Sequence, residues 1–314
     1  MYNNDNKSTN TYSNNNYLNY KSSYVQLKND LENKIVLLDG AMGTMIQSKK
    51  LKASDFGGEK YEGCNDYLVI TKPNVIKDIH KAYLEAGSDI IETNTFGALD
   101  IVLKDYGLED KSFELNKVAA NLVREAIEEY RKENPNEKRN LYVAGALGPT
   151  NKSISVTGGV TFEELIHSYY TATCGLLAGN VDIILFETIQ DTRNLKAAYL
   201  GLQKAMDEYY PVPIMISFTI ESTGTTLAGQ TADAFYYAVN HMSPLSIGLN
   251  CATGPEFMTQ FLKILNNVSN TYISVYPNAG LPNEEGVYEE TPDTLAAKIE
   301  PFFQNSYINI VGGC

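Results

Sequence analysis

The stretch NVIKDIHKAYLEAGSDIIETNTFG, residues 74–97, holds the pattern that decides the fold. In its first part apolar side chains recur at helical spacing, with Val75, Ile76, Ile79 and Tyr83 on one face. After Gly87 the period changes to a short apolar run, DIIET at 89–93, which ends in polar residues. A helix followed by a buried strand with a polar tip is half of a β/α repeat.

The same unit recurs along the chain. Apolar, β-branched runs stand at 35–39 (IVLLD), 89–93, 142–147 (YVAGAL), 182–188 (DIILFET), 213–218 (PIMISF), 245–250 (LSIGLN), 272–278 (YISVYPN) and 308–313 (INIVGG). Helical stretches separate them, several opening with capping residues such as Thr161 ahead of Glu164, and Asp191. Strands that are apolar throughout and alternate with helices imply a parallel sheet covered by helices. Eight such units predict an α/β protein of the (β/α)8 TIM barrel class. The rival doubly wound sheet asks for a glycine-rich nucleotide turn after its first strand, and DGAMGT lacks the GxGxxG spacing. The barrel lacks an eighth helix. Either residues 24–33 cover that gap or the chain is a segment of a longer protein, and the second is the expectation. Residues 1–22, rich in Asn, Ser and Tyr, are expected to be a disordered tail. A short helix is expected within SYVQLKNDLENK, and the barrel occupies 23–314.

Over 314 residues the charge is −13, which disfavours nucleic acid and anionic lipid in the absence of a basic patch. No apolar run reaches the about 18 residues that span a bilayer, and no signal-peptide pattern opens the chain, so the cytoplasm is the expected location. There the four cysteines are expected as thiols or metal ligands rather than disulfides.

In such a barrel the active site lies at the C-terminal ends of the strands. These ends present Asp39 with Gly40, Glu92 with Thr93 and Asn94, Gly148, Glu187 with Thr188, Ser217, Asn250 with Cys251, Asn278, and Gly313 with Cys314. Two cysteines at the tips of strands six and eight are placed to converge on one metal ion. Cys174, inside an apolar helix, reads as packing, and Cys64 has no thiol partner at ligand spacing. Asp39 and Glu187 each end an apolar strand, where a carboxylate needs a partner: loop amides or a ligand ammonium. His80, His167 and His241 fall in helical stretches, which argues against a histidine-based hydrolase. No lysine ends a strand, which argues against a Schiff-base aldolase. GTTLAGQT lacks the lysine of a phosphate-binding loop.

LLDGAMGTMIQ, IHKAYLEAGSDIIETNTFG, VAGALGPTN, LFETIQDT, TLAGQT, GLNCATGP, YPNAGLPN and INIVGGC occur in this order. This series resembles the homocysteine S-methyltransferase family, and most of all the homocysteine-binding domains of cobalamin-dependent methionine synthases. The likeness runs from about residue 34 to the last residue; the link between GPTN and TFEEL is compact where relatives can carry a longer loop. The resemblance implies a catalytic Zn2+ on three cysteine thiolates, here Cys251, Cys314 and a cysteine that would follow position 314. It implies that the homocysteine amino group meets Asp39 and Glu187, that its carboxylate meets amides near Gly40 and Ala41, and that Asn250 adjoins the substrate. The implied product is methionine. The methyl donor is methylcobalamin carried by other cobalamin- and folate-binding domains or proteins, or alternatively S-methylmethionine or betaine. With one thiolate missing, a catalytically impaired homocysteine-binding module is the alternative.

Overall fold

The computed structural model describes residues 20–280 and 290–314. Residues 1–19 of the expected tail, and the LPN part of YPNAGLPN, lie outside the described residues. Eight strands are found where eight apolar runs were read: β1 (Val36–Leu37), β2 (Ile90–Glu92), β3 (Tyr142–Leu147), β4 (Ile183–Ile189), β5 (Ile214–Phe218), β6 (Ser246–Asn250), β7 (Tyr272–Tyr276) and β8 (Ile310–Val311). They form one parallel sheet in the order β1-β8-β7-β6-β5-β4-β3-β2. The ring closes between its two ends through a bridge from Leu38 to Ile90, with Asp89 N donating to Leu37 O at 2.8 Å and Asp39 N to Ile90 O at 3.0 Å. This is a (β/α)8 barrel.

Eleven α-helices are described: α1 (Ser22–Asn33), α2 (Met42–Ser48), α3 (Leu68–Thr71), α4 (Pro73–Ala86), α5 (Asp100–Leu103), α6 (Ser112–Glu133), α7 (Phe162–Ala178), α8 (Thr192–Glu208), α9 (Ala232–Val239), α10 (Pro255–Val268) and α11 (Pro292–Gln304). Capping residues set their starts. Thr161 Oγ1 accepts from Glu164 N at 3.1 Å while Glu164 returns a carboxylate to Thr161 N at 2.7 Å, and Asp191 accepts from Arg193 N at 2.8 Å. None of these helices is long and apolar enough to cross a membrane.

Alternation along the strands splits the core into two layers. Ile91, Val143, Ile184, Phe186 and Ile216 point outward to the helices. Val36, Leu38, Ile90, Tyr142, Ala144, Ile183, Leu185, Met215 and Ile310 fill the barrel interior. Helix α1 joins the inner layer through Leu27 and Leu31. Polar side chains on it and just ahead of it meet the starts of strands: Asp30 accepts from Tyr142 Oη at 2.7 Å, and Lys21, ahead of the helix, donates through Nζ to Val181 O at 3.1 Å. Residues 24–33 therefore plug the N-terminal mouth of the barrel and do not take the place of an eighth helix on its flank. Leu37, on the outer face of β1, keeps 39% of its surface exposed.

Candidate functional site

At the opposite mouth the strand ends line a cavity of about 510 Å³. Its wall includes Asp39, Gly40 and Ala41 after β1, Glu92 and Thr93 at β2, Glu187 and Thr188 in β4, Cys251 after β6, Tyr276 at β7, and Gly313 and Cys314 after β8. Gly63, Asn65 and Asp66 from the loop ahead of α3 complete one side. That loop is fastened to the β2 end, with Asp66 accepting from Gly97 N at 2.9 Å and Asn94 donating to Asn65 O at 2.8 Å.

The carboxylates are held by backbone geometry. Asp39 Oδ2 accepts from Glu92 N at 3.0 Å, and Asp39 Oδ1 is buried with no hydrogen-bond partner among the described residues. Glu187 sits where the β4–β5 register shifts between Phe186 and Ile189, and Thr188 beside it takes a left-handed φ of 56°. Such a bulge turns a side chain out of the strand's regular alternation toward the cavity. Among the described residues no Lys or Arg forms an ion pair with Asp39, Glu92 or Glu187. Burial and mutual repulsion hold Asp39 and Glu187 well above the usual carboxylate range, and burial lifts Glu92 to about 7. Burial also lifts Asp66 to about 6. Carboxyls held above their ordinary range with no cation beside them among the described residues gain if a cation enters the cavity.

Backbone amides complement them. The N–H groups of Gly40 and Ala41 donate to no described acceptor, and both residues line the cavity. Tyr83 Oη donates to Ala41 O at 3.1 Å, and a Cβ on Gly40 would stand 2.8 Å from the Tyr83 ring, so this turn and the tyrosine require glycine there.

Two cysteines come together as their strand positions foretold. Cys251 follows β6 with a left-handed φ of 51°, and its N–H donates to Tyr276 O at 3.3 Å. Cys314 N donates to Pro277 O at 3.2 Å, and Gly312 lies so close to Asp39 O that a Cβ would approach it to 2.8 Å. The Cα atoms of the pair are 5.9 Å apart and their sulfurs are joined as a disulfide, where thiols were expected. That separation is within the span of a disulfide, so thiols converging as ligand partners are also placed to bond each other. Cys64 and Cys174 are free and buried, and burial lifts the Cys64 thiol to about 11, away from reactivity.

Asn250 lies one layer behind the cavity wall. Its Oδ1 accepts from Thr188 N at 3.1 Å and Ser217 Oγ at 2.6 Å; its Nδ2 donates to Thr188 Oγ1 at 2.8 Å and lies 3.2 Å from Cys251 Sγ. It ties β4, β5 and β6 together beneath the cysteine and so positions it. Glu92, Asp66 and Tyr276 enter the site without having been singled out. Glu92 was visible as a polar strand end; Tyr276 lay in an apolar run that reads as core. His80 is fully buried, while His167 and His241 are exposed on the outer helices. In TLAGQT the amides of Thr226, Gly229 and Gln230 donate within the loop and that of Ala228 donates to Gln190 O.

Zinc is the group such a pair of sulfurs suggests, because soft thiolates are its donors. Among the described residues no group of three His, Cys, Asp or Glu is placed to hold a metal ion. The donors present thus fit two corners of a tetrahedral site.

A family model described as homocysteine S-methyltransferase matches residues 36–314. Among solved structures, the chain is similar to the homocysteine methyltransferase MmuM from Escherichia coli. The oxidized form has a TM-score of 0.74 at 24% identity, covering 90% of this chain and 92% of that one. The metallated form has a TM-score of 0.74 at 23% identity, covering 93% and 94%. The apo form has 0.68 at 22%, covering 90% and 91%. At these identities the likeness bears on the fold.

Proposed function

The chain belongs to the homocysteine S-methyltransferase family and is a methyltransferase, and from that premise we propose that its barrel mouth methylates homocysteine to methionine. The observation that carries this reading is the meeting of Cys251 and Cys314 in one cavity with carboxyls and amides that have no ion-pair or acceptor partner among the described residues. Asp39 and Glu187 take the ammonium of the substrate, with its charge replacing the missing cation. The amides of Gly40 and Ala41 take its carboxylate. This leaves the side-chain sulfur directed across the cavity to the cysteines. The substrate sulfur then attacks the methyl carbon, and the methyl–donor bond breaks with its electron pair leaving on the donor.

In their reduced state, Cys251 and Cys314 would hold zinc. Bound there, the metal would ionise a substrate thiol whose ordinary pKa of about 8.5 leaves it mostly protonated at neutral pH. Asn250 supports the site by fixing Cys251 from behind. The favoured donor is methylcobalamin, presented by a cobalamin-binding domain or protein, because the motif series is most like synthase domains; S-methylmethionine and betaine are the alternatives. The proposed location is the cytoplasm.

The test is zinc content together with homocysteine-dependent methionine formation by the reduced chain, supplied in turn with methylcobalamin, S-methylmethionine and betaine. Methionine from one donor supports the reading. The two-sulfur donor set also favours a second reading, a homocysteine-binding module of impaired activity. Tight homocysteine binding without methionine from any donor would select it.

A further inference from the structure

Tyr276 ends β7, the strand between the two that carry the cysteines, and its side chain lines the cavity. The residue is 2% exposed, and its hydroxyl is buried with no hydrogen-bond partner among the described residues. A buried hydroxyl without a partner is a net cost that phenylalanine would avoid at the same volume. Buried polar groups left unpaired in a folded protein call for a ligand or another explanation.

The surroundings say which ligand. The groups facing the phenol are carboxyls, Glu187 foremost, then Glu92 and Asp39. Ser217 lies beside it; its single proton is donated to Asn250 Oδ1 at 2.6 Å, so it has none to give the phenol oxygen, whose lone pair stays open. The same negative surroundings and burial keep the phenol protonated, well above its ordinary range. It is therefore a neutral group with a lone pair to offer and a proton to give, set among acceptors that lack a cation. A primary ammonium carries three N–H donors, and a phenol can accept one of them while donating its own proton to a carboxylate.

We propose that Tyr276 is a further substrate-binding residue, whose Oη accepts an N–H of the homocysteine ammonium. This rests on the reading of the cavity as a homocysteine site and adds to it a discriminating contact. Asp39 and Glu187 alone attract any cation, whereas a phenol placed between the strands of Cys251 and Cys314 fixes the amino group relative to the sulfur. The contact favours an α-amino thiol over the same thiol without its amino group.

The experiment is Tyr276→Phe, with the affinity of the reduced, zinc-supplied chain measured by titration calorimetry. Two ligands are compared: L-homocysteine and 4-sulfanylbutanoate, which is homocysteine without the amino group. Because the hydroxyl has no hydrogen-bond partner among the described residues, the variant should melt at the parent's temperature or slightly above it. Loss of one hydrogen bond to a charged group should weaken homocysteine about tenfold or more, while 4-sulfanylbutanoate binds parent and variant alike. Unchanged homocysteine affinity overturns the inference, as does equal weakening of both ligands, which would mark a purely structural role. Failure of the parent chain to bind homocysteine at all would overturn the homocysteine site and this contact with it.

Discussion

Replacing Glu92 by glutamine should make the ligand-free protein more stable at pH 8 and leave it little changed at pH 5. Glu92 is held at about 7 where the ordinary value is 4.5. The folded state thus binds a proton that the unfolded chain has released. Its contribution to stability is fully present below pH 4.5 and is lost as pH rises through about 7. At about 1.4 kcal/mol for each tenfold change in proton affinity, the whole gap is worth about 3 kcal/mol. Glu92 keeps part of its surface toward the cavity, where water screens it, so the expected gain on substitution is about 2 kcal/mol. Glutamine keeps the shape and removes the charge, and relief of its repulsion on Asp39 and Glu187 acts in the same direction. Urea unfolding of parent and variant at several pH values reads the difference directly, provided the slope with urea is unchanged. A variant less stable than the parent at pH 8, or a difference that does not vary between pH 5 and 8, would refute the account of the cluster.

Homocysteine binding near pH 7 should release protons, because an ammonium among these carboxyls favours their ionised forms. Calorimetric enthalpies in buffers of different ionisation heat should therefore diverge, and less so in Glu92→Gln. Asn250→Ala should cost about 2–4 kcal/mol, since it leaves the Thr188 amide and the Thr188 and Ser217 hydroxyls without their partner. Chemical denaturation measures that loss, and homocysteine affinity should fall with it as Cys251 loses its support. Leu31→Ala should destabilise by about 2–4 kcal/mol through a void at the barrel's base. Its homocysteine affinity, measured by calorimetry, should match the parent's.

The strands were legible because burial on both faces writes them as unbroken apolar runs, and the residues that follow several of those runs line the cavity. Asp39, Glu187, Cys251 and Cys314 were readable for that reason. The placement of α1 was not: Leu27 and Leu31 announce a buried face without saying what buries it, and only the assembled ring has an open base for them. The short α2, α3 and α5 were missed because so few residues hold less than a full hydrophobic period. Tyr276 escaped because a tyrosine in YISVY is equally consistent with core packing, and only closure of the barrel shows that it lines the cavity. The backbone reversal at Thr188, which turns the tip of β4, has no sequence mark such as glycine.

The central claim is that the mouth formed by Asp39, Glu187, Cys251 and Cys314 methylates homocysteine, and product formation tests it most directly. The reduced, zinc-supplied chain, incubated with homocysteine and a methyl donor, should form methionine, and Cys251→Ser and Glu187→Gln should each abolish most of that product. No methionine with methylcobalamin, S-methylmethionine or betaine, or equal methionine from parent and both variants, would contradict it.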